Sequence, residues 1–164
     1  MSEYHNTKAE DRVPLGQKLA VGAGGFPIQN GGLIVQYMAQ PIFQIFLGLN
    51  PALFGLAMTI PRIWDAFTDP VMGRISDRTQ SRYGRRRPYV FVGALAVALT
   101  FLTIWMVPQS MGDTGTFLWL TIGSVLFFTA FTVFSVPFNA LVYEQTPDYH
   151  ERTRLMFYLA LFYN

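Results

Sequence analysis

The chain has 164 residues, 51% of them hydrophobic and 13% charged, with fifteen phenylalanines and a mean hydropathy of +0.28, a balance too apolar for an ordinary soluble domain. The absence of cysteine excludes a disulfide framework, a thiolate metal site and a thiol nucleophile. The net charge of +2 and a pI near 9 come from short clusters between apolar runs, so no folded basic surface is left for a nucleic-acid partner.

In chain order, residues 1–18 are polar and mixed in charge, and are expected to form a cytoplasmic N-terminal segment. The first apolar run is longer than a signal h-region and carries no convincing cleavage site, so no cleaved signal is expected. Apolar runs follow at about residues 19–47, 52–75, 89–107 and 117–143, each long enough as a helix to cross about 30 Å of hydrocarbon. A further run over residues 155–164 is too short to span. The expectation is an all-α, polytopic membrane helical bundle of four complete transmembrane helices and the start of a fifth, with residues 19–164 forming part of a larger transporter bundle.

The loops set the predicted orientation. Lys8, Arg12 and Lys18 precede the first run, Arg74, Arg78, Arg82, Arg85, Arg86 and Arg87 lie at or in the second connection, and Arg152 and Arg154 follow the fourth run. The first and third connections, residues 48–51 and 108–116, have no Lys or Arg, so the positive-inside rule predicts a cytoplasmic N-terminus.

The first run carries Gln29, Gln36, Gln40 and Gln44 in one stripe at helical spacing, suited either to bonding adjacent helices or to meeting substrate hydroxyls. Its glycines, including Gly22, Gly24 and Gly25, permit close helix approach or bending. In the second run Arg62, Asp65 and Asp69 stand three and four residues apart, on one helical face. An ionised side chain costs about 2.5–3.5 kcal/mol at the centre of a membrane helix, so three are expected to face a polar interior. Arg62 and Asp65 have the spacing of a structural ion pair, which would leave Asp69 unexplained. The alternative is that both carboxylates ligate Na⁺ or share a proton, because oxygen ligands suit hard cations and close like charges hold a proton more readily. Pro61 and Pro70 flank the stripe. In the fourth run Thr129, Thr132, Ser135 and Asn139 share a side near Pro137, as packing or ligand residues. The Arg-rich second connection marks a cytoplasmic side, and Asp77 within it is placed to accept from helix-end amides or an arginine and so clamp helix ends.

The strings Arg62-Ile-Trp64-Asp65-Ala-Phe-Thr-Asp69-Pro70-Val-Met-Gly73, Ser81-Arg82-Tyr83-Gly84-Arg85-Arg86-Arg87-Pro88 and Val136-Pro137-Phe138-Asn139-Ala140-Leu141-Val142 resemble those of the glycoside–pentoside–hexuronide:cation symporters. These form the melibiose-permease-like branch of the major facilitator superfamily, and the resemblance runs from about Lys18 to the end of the chain. It implies the N-terminal part of a fold of two six-helix halves with substrate held between them near mid-membrane, and hence a missing C-terminal part as a partner. It implies cation binding at Asp65, Asp69 and Thr132, with Na⁺ possible at the two carboxylates, and Arg62 as a charged neighbour. Gln29, Ser135 and Asn139 match sugar-binding positions but depart in type, two of them replacing acidic residues and Asn139 replacing an aromatic one. That departure argues against galactoside specificity and leaves H⁺ and Na⁺ both open as coupling ions. Asp77, Arg78, Arg85 and Arg86 match a gating loop similar to that of proton-coupled sucrose carriers.

The reading is a secondary active transporter fragment of the inner membrane, coupling uptake of a sugar or glycoside to H⁺ or Na⁺ by alternating access, with no organic cofactor and no enzymatic activity. A non-transporting membrane sensor or assembly subunit is the rival, and it would need neither an intramembrane carboxylate pair nor polar faces on three helices. A membrane hydrolase is a poorer one, since neither His5 nor His150 falls within an apolar run and no nucleophile–base or metal-ligand constellation appears.

Overall fold

The computed structural model describes residues 11–82, 84–108 and 111–163, apart from the side chain of Tyr163, and the described residues fold as helices and their connections. Lys8, His5, Tyr83 and Asn164, which the sequence reading used, lie outside them. Five α-helices follow in order: α1 (Leu15–Ala39), α2 (Pro51–Arg78), α3 (Arg87–Trp105), α4 (Asp113–Glu144) and α5 (Tyr149–Tyr163). Among the described residues two compact units account for them, one of residues 11–31 with 139–163 and one within residues 32–138.

The first apolar run is not one regular helix. A π-helical segment, Gln40–Phe46, continues from α1. Pro41 has no N–H for the Tyr37 carbonyl, and the ladder widens so that the Leu47 N–H reaches the Ile42 carbonyl at 3.0 Å. Gly48, at φ 71°, then turns the chain. Asn50 caps α2 by accepting from the Ala52 N–H at 2.9 Å, with Pro51 in the first helical turn. The last helix also differs from the apolar run in the sequence: α5 begins at Tyr149, six residues ahead of Leu155, because Asp148 accepts from the Glu151 N–H at 2.8 Å and starts the helix within the polar segment.

The larger unit is organised around Val35, Ala39, Phe43, Leu49, Ala57, Ile104, Leu120, Phe127 and Phe128. Phe127 stacks on Phe131 at 5.9 Å and meets Phe101 at 6.1 Å. Helices α3 and α4 touch at Gly93, where an added Cβ would stand 2.7 Å from the Phe134 backbone. This contact has no room for any side chain on α3. Both helices contain an eighteen-residue stretch long and apolar enough to cross a membrane, with mean hydropathies of 1.9 and 2.0. Helices α1 and α2, in which the polar stripes lie, fall outside that apolarity.

In the smaller unit, Val13, Val21, Val142, Leu155 and Leu159 are buried. Here α1 and α5 approach at Gly22, whose added Cβ would meet the Phe162 ring at 2.5 Å and the Tyr158 carbonyl at 3.1 Å. Glu151 is fully buried, receives the Val13 N–H at 3.0 Å and pairs with Lys18 at 2.5 Å and Arg154 at 3.3 Å. The Thr146 hydroxyl donates to the Asp11 carbonyl at 3.0 Å, so the segment before α1 is held to the α4–α5 connection.

Candidate functional site

Helix α2 carries the charged stripe, and within the larger unit it meets α4 and the second part of α1. The Thr132 hydroxyl donates to Asp69 Oδ1 at 2.9 Å. One turn earlier, Asp65 is half-buried, and its Oδ1 is buried without a hydrogen-bond partner among the described residues. Between them, the Thr68 hydroxyl is turned back to the Trp64 and Asp65 carbonyls, at 3.3 and 3.4 Å, and is thereby occupied locally. An oxygen-only set of two carboxylates and a hydroxyl suits a proton or a hard monovalent cation such as Na⁺. Among the described residues no three His, Cys, Asp or Glu side chains gather in one place.

Trp64 fixes the register of α2 against α4, its indole N–H donating to the Thr129 hydroxyl at 2.9 Å. That hydroxyl in turn donates to the Val125 carbonyl at 2.7 Å. Trp64 carries no charge and stands between Arg62 and Asp65, whose charges dominate this part of the sequence, which is why sequence reasoning gave it no role. Its place beside Asp65 is the available signal.

Arg62 makes no ion pair with Asp65 in the structure. It donates instead to Gln36 Oε1 at 3.2 Å, and its guanidinium lies over the Phe128 ring, 5.2 Å from the centroid. Gln36, Thr59 and Arg62, with Val35, Met58 and Phe128, line a cavity of about 250 Å³. Of the other glutamines, Gln40 is exposed and Gln44 half-buried on the π-helical segment, whose wider turn breaks the regular stripe expected of a continuous α-helix.

Ser135 is buried on α4 in the larger unit. Gln29 and Asn139 are exposed and belong to the smaller unit, and their side chains make no hydrogen bonds among the described residues. At the end of α2, Asp77 accepts from Arg86, and Arg85 approaches at 3.9 Å. The hydrogen bond from Arg86 holds the Asp77 carboxyl below the usual carboxylate range, against the opposing effect of partial desolvation. Arg78 is exposed at the last position of the helix. Close by, the Thr79 hydroxyl shares a 2.7 Å hydrogen bond with the Tyr89 hydroxyl, joining the ends of α2 and α3.

Residues 20–164 match the family model described as MFS/sugar transport protein. An uncharacterized symporter of Synechocystis sp. is 36% identical over 144 residues, covering 84% of this chain and 26% of its own. The sodium-dependent lysophosphatidylcholine symporter 1-A of Danio rerio is 32% identical over 136 residues, 82% of this chain and 25% of its own. YagG of Escherichia coli, named for glycoside/cation symport, is 29% identical over 149 residues, 89% of this chain and 31% of its own. The chain thus spans about a quarter to a third of the length of these relatives, all of which are named as symporters and none as an enzyme. With a charged α2 stripe, two helices apolar enough to span a membrane and a match over nearly its whole length, this chain belongs to the MFS/sugar transport protein family of multi-pass membrane proteins.

Proposed function

We propose that the chain supplies the cation site and part of the substrate path of a symporter that couples uptake of a sugar or glycoside to H⁺ or Na⁺. The observation that carries this reading is the pairing of Thr132 with Asp69, one turn from a second carboxylate with a buried, unpartnered oxygen. Carboxylates are expensive to place in a membrane helix, and a pair of them next to a hydroxyl is accounted for by a cation that visits. In this scheme α1 and α2 span the membrane with α3 and α4, the N-terminus and Asp77 are cytoplasmic, and the membrane is the inner one.

Cation at Asp65 and Asp69 favours the state that binds substrate, and coupling is the difference in cation affinity between the two states. Gln29, Ser135 and Asn139 meet substrate. Arg62 stays with Gln36 while the carboxylates are charged, and Asp77 with Arg78, Arg85 and Arg86 forms a cytoplasmic clamp that opens and closes in the cycle. No organic cofactor is needed, and a C-terminal part of the transporter is the partner that completes the carrier.

The names of the Danio rerio and other lysophosphatidylcholine symporters favour a second substrate class, an amphipathic lysolipid. Counterflow in vesicles with the whole carrier separates the two. Exchange of labelled glycosides, raised by Na⁺ or by acid pH and untouched by lysophosphatidylcholine, supports the sugar reading. Exchange of lysolipid alone overturns it.

A further inference from the structure

The connection between α2 and α3 builds a second feature, away from the carboxylates. Gly84 adopts φ 100°, and its N–H reaches the Ser81 carbonyl at 3.0 Å, so the chain reverses just before α3. The three successive arginines that follow divide their roles. Arg86 is buried and bonds to Asp77, and Arg85 approaches the same carboxylate. The Arg87 side chain has no hydrogen bond or ion pair among the described residues, and it lines a cavity of about 880 Å³ with Arg82, Gly84, Pro88, Phe91 and Val92.

The lining has two chemistries in one place. Among the described residues its lining holds the side chains of Arg82 and Arg87 and no acidic residue, beside the first turn of α3, where unpaired N–H groups add positive potential. Its wall is Phe91 and Val92, 70% and 58% exposed on a helix whose apolar stretch is only 11% buried within the chain. A cationic mouth opening onto an apolar wall of a membrane-length helix complements one class of molecule, with an anionic phosphate at one end and hydrocarbon at the other. A sugar would find few neutral hydrogen-bonding groups there, and a zwitterionic headgroup would bring its own cation to a rim already positive.

We propose that Arg82 and Arg87, with Phe91 and Val92, form a binding site for an anionic glycerophospholipid of the bilayer leaflet that faces the α2–α3 connection. The site depends on α3 lying in the membrane and not on what the protein carries. Bound lipid would hold the start of α3 beside the Asp77–Arg86 pair, linking leaflet composition to the stability of that contact.

The test is retention of phosphatidylglycerol against phosphatidylcholine of identical chains by the purified full-length carrier, read by native mass spectrometry. Wild type is expected to retain phosphatidylglycerol selectively, Arg87→Gln to lose about fivefold of that selectivity, and Arg74→Gln, which removes one exposed charge elsewhere, to keep it. A diazirine-bearing phosphatidylglycerol should crosslink wild type within residues 82–92, a readout that needs no variant to fold. Glycerol phosphate alone should not displace the lipid. Equal retention of both lipids by wild type, equal loss in Arg74→Gln, label spread evenly over the helices, or displacement by free glycerol phosphate each overturns the proposal.

Discussion

The Thr132 hydroxyl on α4 donates to the Asp69 carboxylate on α2 across 2.9 Å, joining positions 63 residues apart in the chain. The hydroxyl orients one carboxylate oxygen and adds a neutral oxygen that can itself ligate a cation. Thr132→Val keeps the shape and removes both contributions. Cation affinity of the carrier, read from the Na⁺ or pH dependence of substrate binding, is expected to fall about 10- to 100-fold, as for loss of a hydrogen bond to a charged group. Thr132→Ser should restore it. An unchanged cation dependence in Thr132→Val would remove Thr132 from the site.

Gly93 is expected to be intolerant of any side chain. An alanine Cβ would meet the Phe134 N and Cα at 2.7 Å, and backbone cannot rotate away as a side chain can. Gly93→Ala should lower stability by about 1–3 kcal/mol through overpacking, seen as a lower melting temperature of the purified carrier. Gly55→Ala, where nothing stands within 4 Å, is the matched control and should stay near wild type or rise, since alanine is the better helix former.

Glu151 links α5 to the segment before α1. Burial pushes its carboxyl up, but the Lys18 ammonium, the Val13 N–H and Arg154 together outweigh this and hold it below the ordinary carboxylate value. The unfolded chain therefore takes up this proton more readily than the folded one. Stability from the contact is fully present above the unfolded value of about 4.3 and falls as the pH drops through the lower folded value. Glu151→Gln should flatten that acid limb of the melting curve, and Glu151→Ala, which leaves the half-buried Lys18 without its carboxylate, should cost about 3 kcal/mol at neutral pH. An acid limb identical in Glu151→Gln and wild type would contradict the assignment.

The proposed topology is tested by single cysteines, against a background with none. Gln80 serves better than Thr79, because Thr79 is half-buried and bonded to Tyr89, whereas Gln80 and Asp113 are both exposed. An impermeant thiol reagent is expected to reach position 80 only from the cytoplasmic side and position 113 only from the opposite one. Labelling of both from one side would contradict the orientation.

Much of the site was legible because charge is conspicuous in an apolar run. Asp65, Asp69 and Arg62 stand out in α2 for that reason, and Thr132 as a position the family resemblance implies. The partner of Arg62 was not legible: the i, i+3 spacing suggested Asp65, whereas the side chain reaches Gln36 on another helix, where it also covers the Phe128 ring. Pairings between helices depend on rotation and register, which periodicity within one helix does not fix. The widened turn at Gln40–Phe46 was missed for a related reason, since apolar character continues through Pro41 while the hydrogen-bond ladder changes. Glu151 was passed over because it sits in a polar segment that reads as a loop, and only the fold brings Lys18 and Val13 to it.

The central claim, that Asp65 and Asp69 carry the coupling cation, is tested most directly at Asp69, because it accepts from Thr132 and has no cationic side chain paired with it among the described residues. The measurement is uptake by vesicles containing the full-length carrier with Asp69→Asn, comparing accumulation against a gradient with exchange across none. Asparagine can still accept from Thr132, so folding and expression are expected to be kept. Exchange should persist while accumulation driven by Na⁺ or by a proton gradient is lost. An Asp69→Asn carrier that concentrates its substrate with the wild-type dependence on Na⁺ and pH would contradict the account.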